Sequence, residues 1–350
     1  MRFRRRLPII LGVLLIAGAV AVVVVMRKHA PPEAARLLPS ADGFLYINLR
    51  GLRHAGLPGE LPPVAHDPEY EQFIQATGFQ FERDLDEAAF AVHYPSRPGA
   101  QPRYTEVFVG KLQGQRLRDY LKKIATSIET YRSIDIYSIP IEDRVLRVAI
   151  LGVDTVAASN HGDPEIMRGM IDRSRKLASP FGGPSPLRQY YKYIPIRNRY
   201  IPFASLCWAV FRVDPAAEGP AAGPLGMSFL FSHPAVVVAS VRYFGGIQFR
   251  AEAFTADEEE ARHVTQQLNT FLTLFHSAEA NVGKQGPDRD VQELFNSLKV
   301  RQDGDRAVLT ATVPPGFIEK AIKGPADSNL LNPMASPPPS PAKPAKVTHK

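Results

Sequence analysis

Arg2, Arg4, Arg5 and Arg6 precede an uncharged apolar run from Leu7 to Met26, and Arg27 and Lys28 close it. At ~1.5 Å of rise per residue a helix of that length reaches ~30 Å, the thickness of a bilayer's hydrocarbon core. The run therefore predicts a transmembrane signal anchor over 7–26. Positives are more numerous before the run than just after it, which places the basic stub 1–6 in the cytoplasm and residues 31 onward outside. In a bacterium this is a single-pass inner-membrane protein with a periplasmic ectodomain. A cleaved secretory signal is the competing reading, with Leu7–Ile16 as a short apolar core and Ala17-Gly18-Ala19 or Ala19-Val20-Ala21 at the cut. The product would then be secreted. Against it, Val22–Val25 continue the apolar run where a cleavable signal turns polar. A lipoprotein would need a cysteine at the cut, and the sole cysteine is Cys207.

A net charge of +7 would by itself suggest a nucleic-acid partner. Its distribution removes that reading. Of 42 Lys and Arg, six lie in 1–30 and three in 329–350, leaving 33 in the segment 31–328, which holds all 35 Asp and Glu. The ectodomain is thus slightly acidic, and no nucleic acid is expected. One cysteine allows no intramolecular disulfide. Cys207 lies in an apolar, strand-like run and reads as a small buried hydrophobe. Residues 329–350 hold six prolines with Ser, Ala and Lys and no acid, the composition of a disordered tail.

Between a linker over 27–37 and that tail, a pattern recurs. Leu38-Pro39-Ser40-Ala41-Asp42-Gly43 opens a strand through Leu45, Ile47 and Leu49, and Ile201-Pro202-Phe203-Ala204 opens one through Trp208, Val210 and Arg212. Glu106–Leu112 then leads to a helix with Leu117, Tyr120, Leu121, Ile124 and Ile128 on one face. Its counterpart, Ile247–Phe254, leads to a helix carrying Ala261, Val264, Leu268, Phe271, Leu272 and Phe275. Further strands over Ile134–Ile139 and Val145–Ala157 precede a helix start at Asp163-Pro164-Glu165. Leu298–Gln302 and Ala307–Val313 flank Asp303-Gly304-Asp305, a hairpin signal, and a short helix is expected around Phe317–Ile322. Short links cannot make parallel crossovers. The expected fold is α+β: a transmembrane helix, then two related modules of antiparallel sheet with packed helices, over 38–177 and 201–328, joined by a basic Tyr/Pro-rich connector over 178–200.

With its apolar anchor and its Leu38-Pro39 opening into a strand that ends at Leu49, the chain resembles a family of bacterial signal-anchored ectodomains of uncharacterised function. That resemblance implies the two-module architecture and no activity.

Motifs for chemistry are few. No two of the nine histidines have zinc-protease spacing, and the phosphate-binding loop and the Gly-x-Ser-x-Gly elbow are both missing. Asp257-Glu258-Glu259-Glu260 reads as a helix start with Thr255 and Glu258 as its capping box, and Glu82, Asp84, Asp86 and Glu87 read as a solvated turn. No catalytic residue, cofactor or metal is expected. The candidate binding surface is Arg188, Tyr190, Tyr191, Lys192, Tyr193, Arg197, Arg199 and Tyr200, whose positives suit anionic lipid or an envelope polymer. The expected function is a non-enzymatic binding or structural component of the bacterial envelope. The alternative is an enzyme or small-ligand sensor with a cleft between the modules.

Overall fold

The computed structural model of the protein describes residues 31–54, 66–95, 97, 100–175, 184–193, 205–216, 224–243, 246–281, 289–314 and 316. The apolar run 7–26, the tail 329–350 and the helix expected around 317–322 lie outside them. Among the described residues no helix is long and apolar enough to cross a membrane.

The first element corrects the linker expected over 27–37. Glu33–Leu37 form helix α1, started by the proline pair before it, and Ala34, Ala35, Leu37 and the following Leu38 are all buried. Three apolar side chains on a single turn make a face that gains more from burial than from hydration. Strand β1 (Gly43–Asn48) runs into α2 (Leu49–His54), followed by α3 (Pro68–Thr77) and α4 (Phe81–Asp84). Asp67 caps α3 by accepting from the Tyr70 N–H at 2.7 Å, and Gly78 ends it at φ 71°. Then come β2 (Leu85–His93), β3 (Arg103–Gly110), α5 (Gly114–Ile124), β4 (Ser127–Tyr131), β5 (Ile134–Ile141), β6 (Arg144–Ile150), β7 (Thr155–Ser159) and α6 (Glu165–Ser174). The second half holds α7 (Ser185–Tyr190) with a 3₁₀ turn over Tyr191–Tyr193, β8 (Cys207–Val213), a 3₁₀ segment over Pro224–Leu230, β9 (Ala235–Tyr243) and β10 (Ile247–Phe254). It ends with α8 (Glu258–Asn281), α9 (Arg289–Ser297), β11 (Lys299–Asp303) and β12 (Arg306–Val313).

These strands make one antiparallel sheet in the order β11-β12-β10-β9-β8-β1-β2-β3-β7-β6-β5-β4. The α+β class stands, with the two halves sharing a sheet. They meet where β1 pairs with β8, Tyr46 opposite Trp208 and Ile47 opposite Cys207. Outward from this seam a related order recurs: three strands in a meander, then helix, then further antiparallel strands of which the last returns to the third strand of the meander, four strands (β4 to β7) in the first half and a two-stranded hairpin (β11, β12) in the second. β7 lies on β3 as β12 lies on β10.

Register partners share a face. One face carries Phe44, Tyr46, Val107, Ala157, Trp208, Val210 and Val238, packed under α1, α6 and the turn at Tyr191. On the other, α5 sets Leu117 and Leu121 on Tyr137, Val148 and Val156, and α8 sets Val264 on Val237, Ala253 and Ala307. Helices α5 and α8, each following a three-stranded meander, therefore lie on the same face.

Several local expectations change. Helix α5 stops at Ile124, and Ile128 sits 47% exposed on β4. Its β-branched neighbours Thr126 and Thr130 favour a strand, and Arg132 and Ser133, at φ 48° and 62°, turn it tightly into β5. Val145–Ala157 divides into β6 and β7, which pair with each other. The acids at 82–87 do not form a solvated turn. Asp84 is buried and bonded to Arg83 and the Gln80 N–H, and burial raises the pKa of Glu87. The capping box of α8 is Asp257 with Glu260, each side chain accepting from the other end's backbone, at 2.9 Å (Glu260 N–H to Asp257) and 3.2 Å (Ala256 N–H to Glu260). Asp303-Gly304-Asp305 makes its hairpin, with Gly304 at φ 63°.

Candidate binding cleft

Alternation along β8 places Arg212 in phase with Trp208 and Val210. Register then carries a row across the sheet: Arg212 opposite Val236 on β9, Val236 opposite Phe254 on β10, Phe254 opposite Arg306 on β12. Over this row lie α7 and its 3₁₀ turn. The ring of Tyr190 meets Phe254 edge-on at 5.1 Å between centroids, and that of Tyr193 meets it at 4.5 Å. The Arg306 guanidinium sits 5.3 Å from the centre of Tyr193 and 5.8 Å from that of Phe254, while bonding Glu252 at 2.8 Å and Asp303 at 2.7 Å. Between the aromatic cluster and Arg212 opens a cleft of about 380 Å³ floored by Val236, with Gln189, Thr255 and Asp305 on its rim.

The predicted tyrosines thus divide. Tyr190 and Tyr193 line the cleft. Tyr191 is buried against Trp208 at 5.4 Å beside the seam, where burial pushes its phenol pKa well up. Arg188 and Lys192 fall on the backbone of α7 and the turn, and Arg197, Arg199 and Tyr200 lie outside the described residues. Arg212, Phe254 and Asp305 were missed. The available signal was an arginine in the inward phase of an otherwise apolar strand.

A cleft between the halves meets a continuous ladder, since Gly43 through Ile47 pair with Phe211 through Cys207. Among the described residues no group of three His, Cys, Asp or Glu could hold a metal. Cys207 is half-buried, its thiol pushed up to about 11 by burial.

A second cluster of titratable and hydroxyl groups among the described residues lies in the first half. His93 Nε2 is 3.2 Å from Thr105 Oγ1, which is 2.9 Å from Ser159 Oγ, and the rings of His93 and His161 lie 4.9 Å apart. Thr105 and Ser159 are buried, so their hydroxyls are closed to a substrate. Burial and then the neighbouring His161 lower the His93 pKa, with Asp42 opposing. Arg147 and Arg103, bonded to the carbonyls of His161 and Asn160, add positive charge nearby. With the folded pKa depressed, the stability that neutral His93 contributes is present above the ordinary imidazole value of about 6.5 and is lost as pH falls through the folded value. Thermal unfolding midpoints should therefore drop as pH falls below about 6.5, and His93→Asn should flatten that drop. An equal drop in the variant would assign it elsewhere.

No family model matches the chain, and no curated protein matches it. The signal-anchored family resemblance drawn from the Leu38-Pro39 opening is thus without a matching family. Among solved structures, crystal form III of TP0453 aligns at a TM-score of 0.47 and 9% identity, over 83% of this chain and 98% of that one. Crystal form I of TP0453 aligns at 0.45 and 10%, over 84% and 98%.

Proposed function

We propose that the protein is a membrane-anchored, extracytoplasmic component of the bacterial envelope that binds an anionic partner and performs no reaction on it. The observation that carries this reading is the cleft itself, an aromatic wall facing a guanidinium across an apolar floor. A recess of this volume, with polar groups converging over an apolar floor, has the form of a small-ligand site. The two recurrent halves, 38–177 and 201–328, are read as related modules fused through β1 and β8, and the connector 178–200 supplies the tyrosines that close the cleft.

Helix α1 limits how far the folded body can stand from such an anchor. Only residues 27–32 separate the apolar run from a helix buried in the core, and six residues reach at most ~20 Å when fully extended. The folded body then works close against the bilayer, which suits a partner held in the envelope.

Alkaline extraction and protease shaving of membranes test the location. Retention in the membrane with a protease-accessible body is expected, and soluble protein beginning between residues 20 and 32 contradicts it. For the binding claim, full-length protein should retain anionic envelope polymer on a column at low salt and release it as screening increases. Equal retention of neutral polymer would remove the anionic partner.

A further inference from the structure

Resting on that reading of the cleft, we propose that its ligand is an acidic sugar: a pyranose ring bearing a carboxylate, as in a polymer of uronic acids. Arg212 and Phe254 stand two strands apart in one register row with Val236 between them. Strand spacing of ~4.8 Å puts ~10 Å between their Cα atoms. After the thickness of the side chains on each wall, the gap accepts one flat ring, and Val236, small and apolar, forms its floor.

The two walls suit the two sides of such a ring. Phe254, Tyr190 and Tyr193 offer aromatic faces whose negative quadrupole attracts the weakly positive C–H face of a pyranose. Phe254 is already fixed by Tyr190, Tyr193 and Arg306, so this wall loses little freedom on binding. Opposite it, the Arg212 side chain is 58% exposed; its Nη1 is ion-paired with Asp42 Oδ1 at 3.6 Å, a separation too long for a hydrogen bond, so a ligand carboxylate competes with Asp42 for this guanidinium. Its planar fork has donors for a carboxylate, which it can grip with two parallel bonds. Arg306 is held more tightly, by hydrogen-bonded contacts to both Glu252 at 2.8 Å and Asp303 at 2.7 Å.

The rim explains why a sugar fits better than a bare anion or a lipid surface. Asp305 has no hydrogen bond to its carboxylate among the described residues, its backbone carbonyl alone being used by Thr255. A carboxylate there repels a small dianion and accepts from ring hydroxyls, as Gln189 and the Tyr190 hydroxyl also can. A bilayer surface, being flat, does not enter a recess.

The test is isothermal titration of the full-length protein in a detergent without a sugar headgroup. Four probes are used: a glucuronate oligomer, its neutral glucose counterpart, inorganic phosphate, and vesicles containing anionic lipid. The glucuronate oligomer should bind, the glucose oligomer about tenfold or more weakly, as expected for losing a charge-assisted bidentate contact. Arg212→Gln should bring glucuronate down to the level of glucose and leave glucose unchanged, while Tyr193→Leu should weaken both alike. Far-UV circular dichroism on each variant confirms that the fold is kept. Phosphate binding as tightly as glucuronate, or an unchanged Arg212→Gln, overturns the proposal. If vesicles or envelope polymer bind and neither sugar oligomer does, the sugar assignment fails while the binding function stands. If no anionic probe binds, both fail.

Discussion

Replacing Trp208 by alanine is expected to lower the stability of the fold by about 3–5 kcal/mol, the usual cost of removing a buried tryptophan. Trp208 is 2% exposed, stacks on Tyr46 across the seam at 5.4 Å, and takes the edge of Tyr191 from the connector at 5.4 Å. One side chain therefore joins β1, β8 and the segment that closes the cleft. A cavity at this place loosens all three at once. Urea denaturation followed by far-UV circular dichroism should show a single transition at a lower midpoint, because strands of both halves belong to one hydrogen-bonded sheet. A loss under about 0.5 kcal/mol, the range of a surface change, contradicts the account, as does a transition that removes the signal of one half alone.

The second large effect concerns α1. A chain beginning at residue 31 should fold, and one beginning at residue 39 should not. Leu37 and Leu38 are 5% and 1% exposed, and Ala34 and Ala35 lie in the same core cluster. Each buried leucine removed costs about 2–5 kcal/mol against a total stability of about 5–15 kcal/mol. Loss of the segment also strips Arg173 Nε of its 2.8 Å bond to the Leu37 carbonyl, leaving a half-buried guanidinium with fewer acceptors. Cooperative unfolding and the yield of soluble protein report the outcome. Equal stability of the two truncations would show that α1 is the linker its position in the sequence suggested.

Local chemistry was the legible part of this fold. Alternation announced strands at Leu45, Ile47 and at Trp208, Val210, although on β1 it is Phe44 and Tyr46 that share the buried face of Trp208 and Val210, and Asp303-Gly304-Asp305 announced a hairpin because glycine accepts the φ the turn demands. The recurrence of a three-stranded meander followed by a helix was legible for the same reason, while the four-stranded β4 to β7 in the first half against the two-stranded β11 and β12 in the second was not. What periodicity cannot carry is pairing between distant strands, so the joining of Tyr46 to Trp208 turned two expected modules into one sheet. Helix α1 was missed because a single buried turn has no period to detect. The helical spacing of Ile128 with Ile124 was a coincidence that the backbone of Arg132 and Ser133 overrules. Of the cleft, the tyrosines were found by composition. Arg212 and Phe254 were not, since their meaning comes from a row running across strands.

The shared sheet is the central structural claim, because it sets the row on which the cleft is built, and the lone cysteine allows a direct test. Ile47 faces Cys207 across the seam. Directly opposed residues in an antiparallel pair have Cα atoms ~4.5–5.5 Å apart, within the span a disulfide bridges. Ala88 shares that face one strand further out, opposite Ile47, and stands ~10 Å from Cys207. Mild oxidation of Ile47→Cys should close an intramolecular disulfide, seen as a reducible shift in gel mobility and as loss of free thiol, while Ala88→Cys keeps both thiols. Free thiols in both variants, or a disulfide that forms as readily from position 88, would contradict the pairing of β1 with β8.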